Sequence, residues 1–265
     1  MSICISVKVG EGLVFGADSI VTISGEMGRQ KGVLNTYNYA RKLSHLGDYP
    51  IGILNWGMGQ IGARNIESLV NEFENNIPDK SNNKDYKLHS ISNDFYDFIN
   101  ERYNKVYSSH EDKNKPVLGI QVGGYSDGAF FPEQYVFQLP IDKSIVKIRE
   151  DNPDGSPNFG ANWFGQTDAI VRMYKGYDQK VIENISKHFK ISKEDLEKII
   201  NKAEYPVVYD GMPLQDAIDF VQWLISIVIG RFRFVVGAPT CGGDVDIAVI
   251  QPHTFTWVRR KQWKV

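Results

Sequence analysis

Only two cysteines, Cys4 and Cys241, occur in 265 residues. That is too few for a disulfide framework or a cysteine-rich zinc cluster. The five histidines, His45, His89, His110, His188 and His253, show no metal-ligand spacing. Each reads as an ordinary surface or core residue, and no cofactor is expected. Long apolar runs are also lacking. The longest, Trp223 to Gly230, falls far below the roughly 20 residues a bilayer crossing needs. No secretory leader is visible, because Met1 to Ser6 is followed at once by Lys8 and Glu11. An excess of one charge is missing too: 30 basic against 32 acidic side chains leave a net charge of −2. That balance argues against a broad basic surface for nucleic acid, and Arg259, Arg260, Lys261 and Lys264 read as a solvated basic end. The expectation is a cytoplasmic protein with no nucleic-acid or membrane partner.

What is present is ordinary for a globular chain, 42% hydrophobic and 23% charged. One domain over residues 1–265 suffices for this length. Residues 3–9 and 12–22 read as strands about a Gly10-Glu11-Gly12 turn. Residues 24–38, polar and glycine-containing, read as a loop. Strands follow near 41–46 and 50–56. Ile61, Ile66, Leu69, Val70 and Phe73 recur at helical spacing over Gly59–Glu74, and a second helix covers roughly 88–107 after a surface linker at 79–87. Strands return at 117–124, 134–139 and 145–148, with a further segment at 159–164. Helical patterns then occupy 168–176, 180–188, 193–203 and 213–231, with Ser192 as a cap and Pro213 in a first turn. The last strands lie at 246–250 and 254–258. This order is not βαβ alternation. It fits an α+β protein with two antiparallel sheets between helix layers, a four-layer αββα sandwich, although periodicity alone does not select that arrangement.

The chemistry is concentrated near the start of the chain. Ser2 becomes terminal if Met1 is removed, as an initiator methionine usually is before a small residue. A terminal serine carries a hydroxyl nucleophile and an α-amine titrating near pH ~8, which can serve as its base. Asp18 lies sixteen residues later, in Gly12-Leu-Val-Phe-Gly-Ala-Asp18-Ser19, and two short strands would return it toward residue 2. Lys42 stands ahead of the apolar stretch Tyr49 to Leu54. Its ammonium would depress the pKa of a neighbouring nucleophile, and a carboxylate would hold it in place. Gly57 and Gly59 read as a strand-to-helix junction whose N–H groups suit a developing oxyanion; the register between the two is open. The duller readings are a turn-capping Asp18, a solvated Lys42 and a turn glycine. Cys4 and Ser6 alternate onto the face of Ser2; Cys4 is conceivable as a nucleophile and reads better as a small buried filler.

These segments together are similar to the proteasome β-subunit superfamily, and most like its bacterial Anbu-type branch. The opening Ser2 to Ser19 resembles the first hairpin, with Ser2 at the nucleophile position, and Arg41-Lys42-Leu43 resembles the lysine motif. Asn55-Trp-Gly57-Met-Gly59 resembles the turn bearing the oxyanion N–H, Trp163-Phe-Gly165-Gln-Thr the segment opening the third helix, and Cys241 to Ile250 the penultimate strand signature. The resemblance implies the N-terminal-nucleophile hydrolase fold, with Ser2, Asp18, Lys42 and Gly57 as site residues. It also implies a peptide or amide substrate and a homo-oligomer, ring or spiral, for which the apolar faces of Gly59–Glu74 and 213–231 are the expected contact surfaces. The chain departs from the family at Phe164, Ala238 and Cys241, where a serine, an aspartate and a serine are expected. Those departures keep open a catalytically silent scaffold subunit, and a small-molecule amidase would use the same nucleophile.

Overall fold

Strand β1 (Ile3–Val9) and strand β2 (Gly12–Ala17) are buried at every residue, which a hairpin with one wet face would not be. Both of their faces are covered, because their alternate side chains enter two different cores. Ile3, Ile5, Val7, Val9 and Val14 face a helix layer, whereas Cys4, Leu13, Phe15 and Ala17 face a second sheet. The computed structural model, which describes residues 2–27, 30–80 and 83–263, builds this sandwich outward from that hairpin.

Strands β3 (Val21–Met27) and β4 (Gln30–Tyr37) form a separate two-stranded hairpin, so the loop expected at 24–38 is corrected to an extended ribbon. Next come β5 (Leu43–His45) and β6 (Ile51–Gly57), then a small β7 (Gln60–Ile61) and β8 (Arg64–Asn65) hairpin. Helix α1 therefore starts only at Ile66 and runs to Glu74, seven residues later than the helical spacing suggested. Asn65 sets that start, its side chain accepting the Ser68 N–H at 2.8 Å as an N-cap. Ile61 matched the helical period by coincidence; it reaches the same core from β7.

Helix α2 (Leu88–Tyr107) leads into β9 (Leu118–Gly124), β10 (Glu133–Leu139), β11 (Val146–Ile148) and β12 (Gly160–Gly165). Four helices follow: α3 (Asp168–Lys175), α4 (Gln179–Phe189), α5 (Lys193–Ile200) and α6 (Leu214–Phe234). The described chain closes with β13 (Asp246–Gln251) and β14 (Thr254–Arg259).

One antiparallel sheet has the order β12-β1-β2-β13-β14 and the other β11-β10-β9-β6-β5. Between them lie Phe15, Leu13 and Ile250 from the first sheet against Leu54, Trp56 and Val136 from the second. Helices α1 and α2 cover the second sheet's outer face through Phe73, Phe95 and Tyr103. Helix α6, with Ala217, Val221, Leu224 and Val228, covers the first. The result is the αββα sandwich. Burying side chains of this size contributes about 1.5–3 kcal/mol each, so truncating a central one such as Phe15 would cost roughly 3–5 kcal/mol.

The assembly surfaces expected on α1 and α6 need correction. Ile66, Leu69, Val70 and Phe73 of α1 are all buried inside the fold, and the apolar face of α6 is likewise spent on the first sheet. Trp223, at 48% exposure, and Phe234, at 81%, are the large apolar side chains α6 leaves in water.

Candidate active site

The sixteen-residue offset between Ser2 and Asp18 has a simple local cause. In the β1–β2 hairpin Cys4 pairs with Ala17, so the residue after Ala17 comes level with Ile3. There the Asp18 N–H donates to the Ile3 carbonyl at 3.2 Å, and the Ile3 N–H donates to Asp18 Oδ1 at 3.0 Å. Lys42 arrives from the other sheet. Its carbonyl accepts the Asn55 N–H of β6 at 2.9 Å, and its Nζ donates to Asp18 Oδ1 at 2.6 Å. Both side chains are buried. Such a pair is stable only if the rest of its hydrogen-bonding capacity is met. Here the second carboxylate oxygen accepts the Gly242 N–H at 3.0 Å, so two backbone amides and an ammonium hold one carboxylate.

Ser2 is buried immediately before β1. Its carbonyl accepts the Gln166 N–H at 2.7 Å. That contact needs glycine at position 165: its φ is +91°, and a Cβ there would lie 2.0 Å from the Ser2 oxygen. Ser2, Lys42, Asn55, Gly57 and Gly59 line one cavity of about 720 Å³. Asp18 stands behind Lys42 and is not among its walls.

Gly57 turns the chain out of β6 with φ +83°, and a Cβ would meet the Val117 carbonyl at 2.3 Å. The same carbonyl accepts the Met58 N–H at 2.9 Å. The backbone alone thus requires glycine at 57, whether or not its N–H meets a substrate. No such constraint acts at Gly59, whose carbonyl accepts the Ile66 N–H at 3.2 Å. The expected reinforcement of Gly57 by a helix beginning at Gly59 is corrected, because the β7–β8 hairpin separates the two.

The cysteines are not poised as nucleophiles. Burial drives the Cys4 thiol far above its ordinary range, with Asp18 adding to the effect, and its Sγ lies 3.2 Å from the Asn55 carbonyl oxygen. Burial, followed by the nearby Asp18, pushes Cys241 up to about 12. A thiolate is suppressed at both positions. The two enter different cores, Cys4 between the sheets and Cys241, from the segment before β13, among the residues under α6. Where the resemblance expects a serine, Phe164 stacks on Trp56 with ring centroids 4.4 Å apart. Ala238 is exposed.

Several contributors lay outside the sequence-based expectation. Gly242 falls within the Cys241-to-Ile250 segment, but nothing local assigns its N–H to Asp18. Lys261, expected in a solvated basic end, is buried: its N–H donates to Asp246 Oδ1 at 2.9 Å, and its Nζ donates to Asp246 Oδ2 and to Ser19 Oγ, the latter at 2.9 Å. Lys264 and Met1, and with Met1 the expected processing step, lie outside the described residues. Among the described residues no helix is long and apolar enough to cross a membrane.

No family model matches the sequence, and no curated protein matches it. Solved structures do match the fold. Anbu (ancestral beta-subunit) from Yersinia bercovieri has a TM-score of 0.50 at 12% identity, over 98% of this chain and 88% of that one. The helical assembly of the Anbu complex from Pseudomonas aeruginosa gives 0.53 at 13% identity, over 98% and 88%. An Anbu (Gly-1) mutant from Hyphomicrobium sp. strain MC1 gives 0.52 at 14% identity, over 98% and 86%. At such identities the likeness is one of architecture, and the chain carries the αββα fold of the Anbu structures.

Proposed function

We propose that residues 1–265 form a single N-terminal-nucleophile hydrolase domain that cleaves peptide or amide bonds with Ser2. The observation that carries this reading is the buried Lys42–Asp18 pair opening, through Lys42, into the cavity that Ser2 also lines. Once the residue before it is removed, Ser2 Oγ attacks the substrate carbonyl and passes its proton to its own amine, directly or through water. The Lys42 ammonium favours the alkoxide electrostatically, and the Gly57 N–H receives the developing oxyanion. Collapse of the tetrahedral species breaks the C–N bond, and the proton held by the amine leaves with the amine product. Water then hydrolyses the Ser2 ester and restores the hydroxyl. The protein works as a cytoplasmic homo-oligomer, ring or spiral, a reading supported by the assembled state of the Pseudomonas aeruginosa neighbour; no nucleic acid or membrane takes part.

Intact mass and peptide mapping after treatment with a β-lactone test the chemistry. The expected result is loss of Met1 and one acyl group on Ser2, absent in Ser2→Ala. A protein that keeps Met1 and takes no adduct fits the second reading, a silent scaffold subunit. The Phe164–Trp56 stack and the exposed Ala238, standing where polar groups are expected, favour that alternative.

A further inference from the structure

One wall of the Ser2 cavity comes from parts of the chain that the proposed chemistry does not use. Trp263 lines it together with Ile23, Tyr37, Tyr39 and Met58. Trp263 is 80% exposed and Tyr37 54%, so large apolar faces stand in water at the edge of the cavity. The charges on the walls are compensated internally. Lys42 is held by Asp18, and Arg41 is paired with Glu67 while its guanidinium lies 5.2 Å from the Trp263 ring centroid. A charged substituent entering here would shed water without gaining an unpaired partner, and Arg41 would oppose a cation. An aromatic substituent would gain apolar burial and a ring contact.

Trp263 is not left to swing on a loose strand end. Two residues earlier Lys261 is fixed at three points: its N–H and its Nζ on the Asp246 carboxylate, and its Nζ again on Ser19 Oγ. Asp246 opens β13 opposite Ala17, and Ser19 follows Asp18. The segment is therefore anchored to the strand ends of the first sheet beside Asp18.

We propose that Trp263 is a specificity wall, in which its ring receives a large aromatic side chain of the substrate bound at Ser2 and Lys261 is the positioning residue that holds it there. The proposal rests on the reading of this cavity as the Ser2 site, but not on turnover. Binding to the full-length Ser2→Ala protein tests it, with acetyl-Ala-Ala-Ala-Phe-amide and its counterparts ending in Asp and Lys, measured by calorimetry. The Phe peptide should bind about tenfold more tightly than either charged peptide. Adding Trp263→Ala should reduce that preference to within about twofold, and Trp263→Phe should keep most of it. Lys261→Met should weaken the preference with Trp263 still present, and Lys261→Arg should restore it, a rescue that a loss of general stability would not give.

Equal binding of the three peptides, no binding of any at millimolar concentration, tighter binding of a charged one, or a preference that survives Trp263→Ala would each overturn the proposal. A wild-type protein that takes no β-lactone adduct while the Phe preference depends on Trp263 would remove the hydrolase reading and leave the wall standing.

Discussion

Two buried lysine–aspartate pairs lie side by side in this molecule, and they are built for different ends. Lys42–Asp18 and Lys261–Asp246 have nearly identical burial, with side-chain exposures of 5% and 0% against 3% and 2%. They are neighbours, since Asp246 pairs across the first sheet with Ala17, the residue before Asp18. Their surroundings differ. Asp18 is saturated by two backbone amides from distant segments, and its lysine faces a cavity. Asp246 takes both the N–H and the Nζ of a single residue, and that lysine spends its remaining reach on Ser19 rather than on the cavity wall. Burial of an ion pair is thus no sign of chemistry by itself. What separates the two is which partner looks into open space.

The contrast is broken most directly at Lys42. Lys42→Ala should lower amide hydrolysis or β-lactone acylation by about 10³-fold or more, with Ser2→Ala no less damaging and the double variant little worse, since groups acting as a unit lose function together. Retention of activity within about tenfold would make the two pairs equivalent and purely structural. The next largest effect falls on stability. Asp246→Ala strands a buried ammonium and should cost about 3–5 kcal/mol, read as a lowered denaturant midpoint. Adding Lys261→Met should recover much of that loss; if the double variant is no more stable than the single, burial of Lys261 is not the cause.

A smaller effect is expected at the link between the pairs. Ser19 Oγ donates to the Asp244 carbonyl and accepts from Lys261 Nζ, so Ser19→Ala should cost roughly 1–3 kcal/mol while leaving the Lys42–Asp18 contact in place. A large fall in acylation rate at unchanged stability would show the pairs to be coupled more tightly than their separate partners suggest. The smallest effect is a slope. Burial holds the Lys261 ammonium below its usual range, outweighing the hydrogen bond and charge of Asp246. Between that lowered value and the ordinary lysine value near ~10.4 the unfolded chain holds the Lys261 proton more firmly than the folded one, so the contribution of this group to stability should rise with pH across the window. Buried Cys4 and Cys241 act in the opposite sense over the same range, so the reading is the difference in stability between the parent and Lys261→Met, which should shift in favour of the parent from about pH 8 to 10.5.

Features governed by short sequence separations were legible in the sequence. The β1–β2 hairpin sets Asp18 against Ile3 through its own register, and the helix periods at 88–107 and 213–231 come from continuous buried stripes. The β3–β4 ribbon was not legible because it pairs only with itself. Ile23, Val33 and Leu34 are each more than 40% exposed, so no buried face imposes a period of two. The β7–β8 hairpin was masked by Ile61, an apolar residue that fits either element. Gly242 and Lys261 escaped for another reason: they meet Asp18 and Ser19 across 224 and 242 residues of chain, and no pattern in one sequence carries a contact over that distance.

Ser2 and Trp263, far apart along the chain, are walls of the same cavity. A group joined directly to either residue starts at a wall of that cavity. A purification handle or fluorescent fusion at either side would therefore crowd the pocket it was meant to report on. The exposed turn at residues 152–156, closed by the Asn152 N–H donating to the Ser156 carbonyl and the Gly155 N–H donating to the Asn152 carbonyl, offers a remote position for a label.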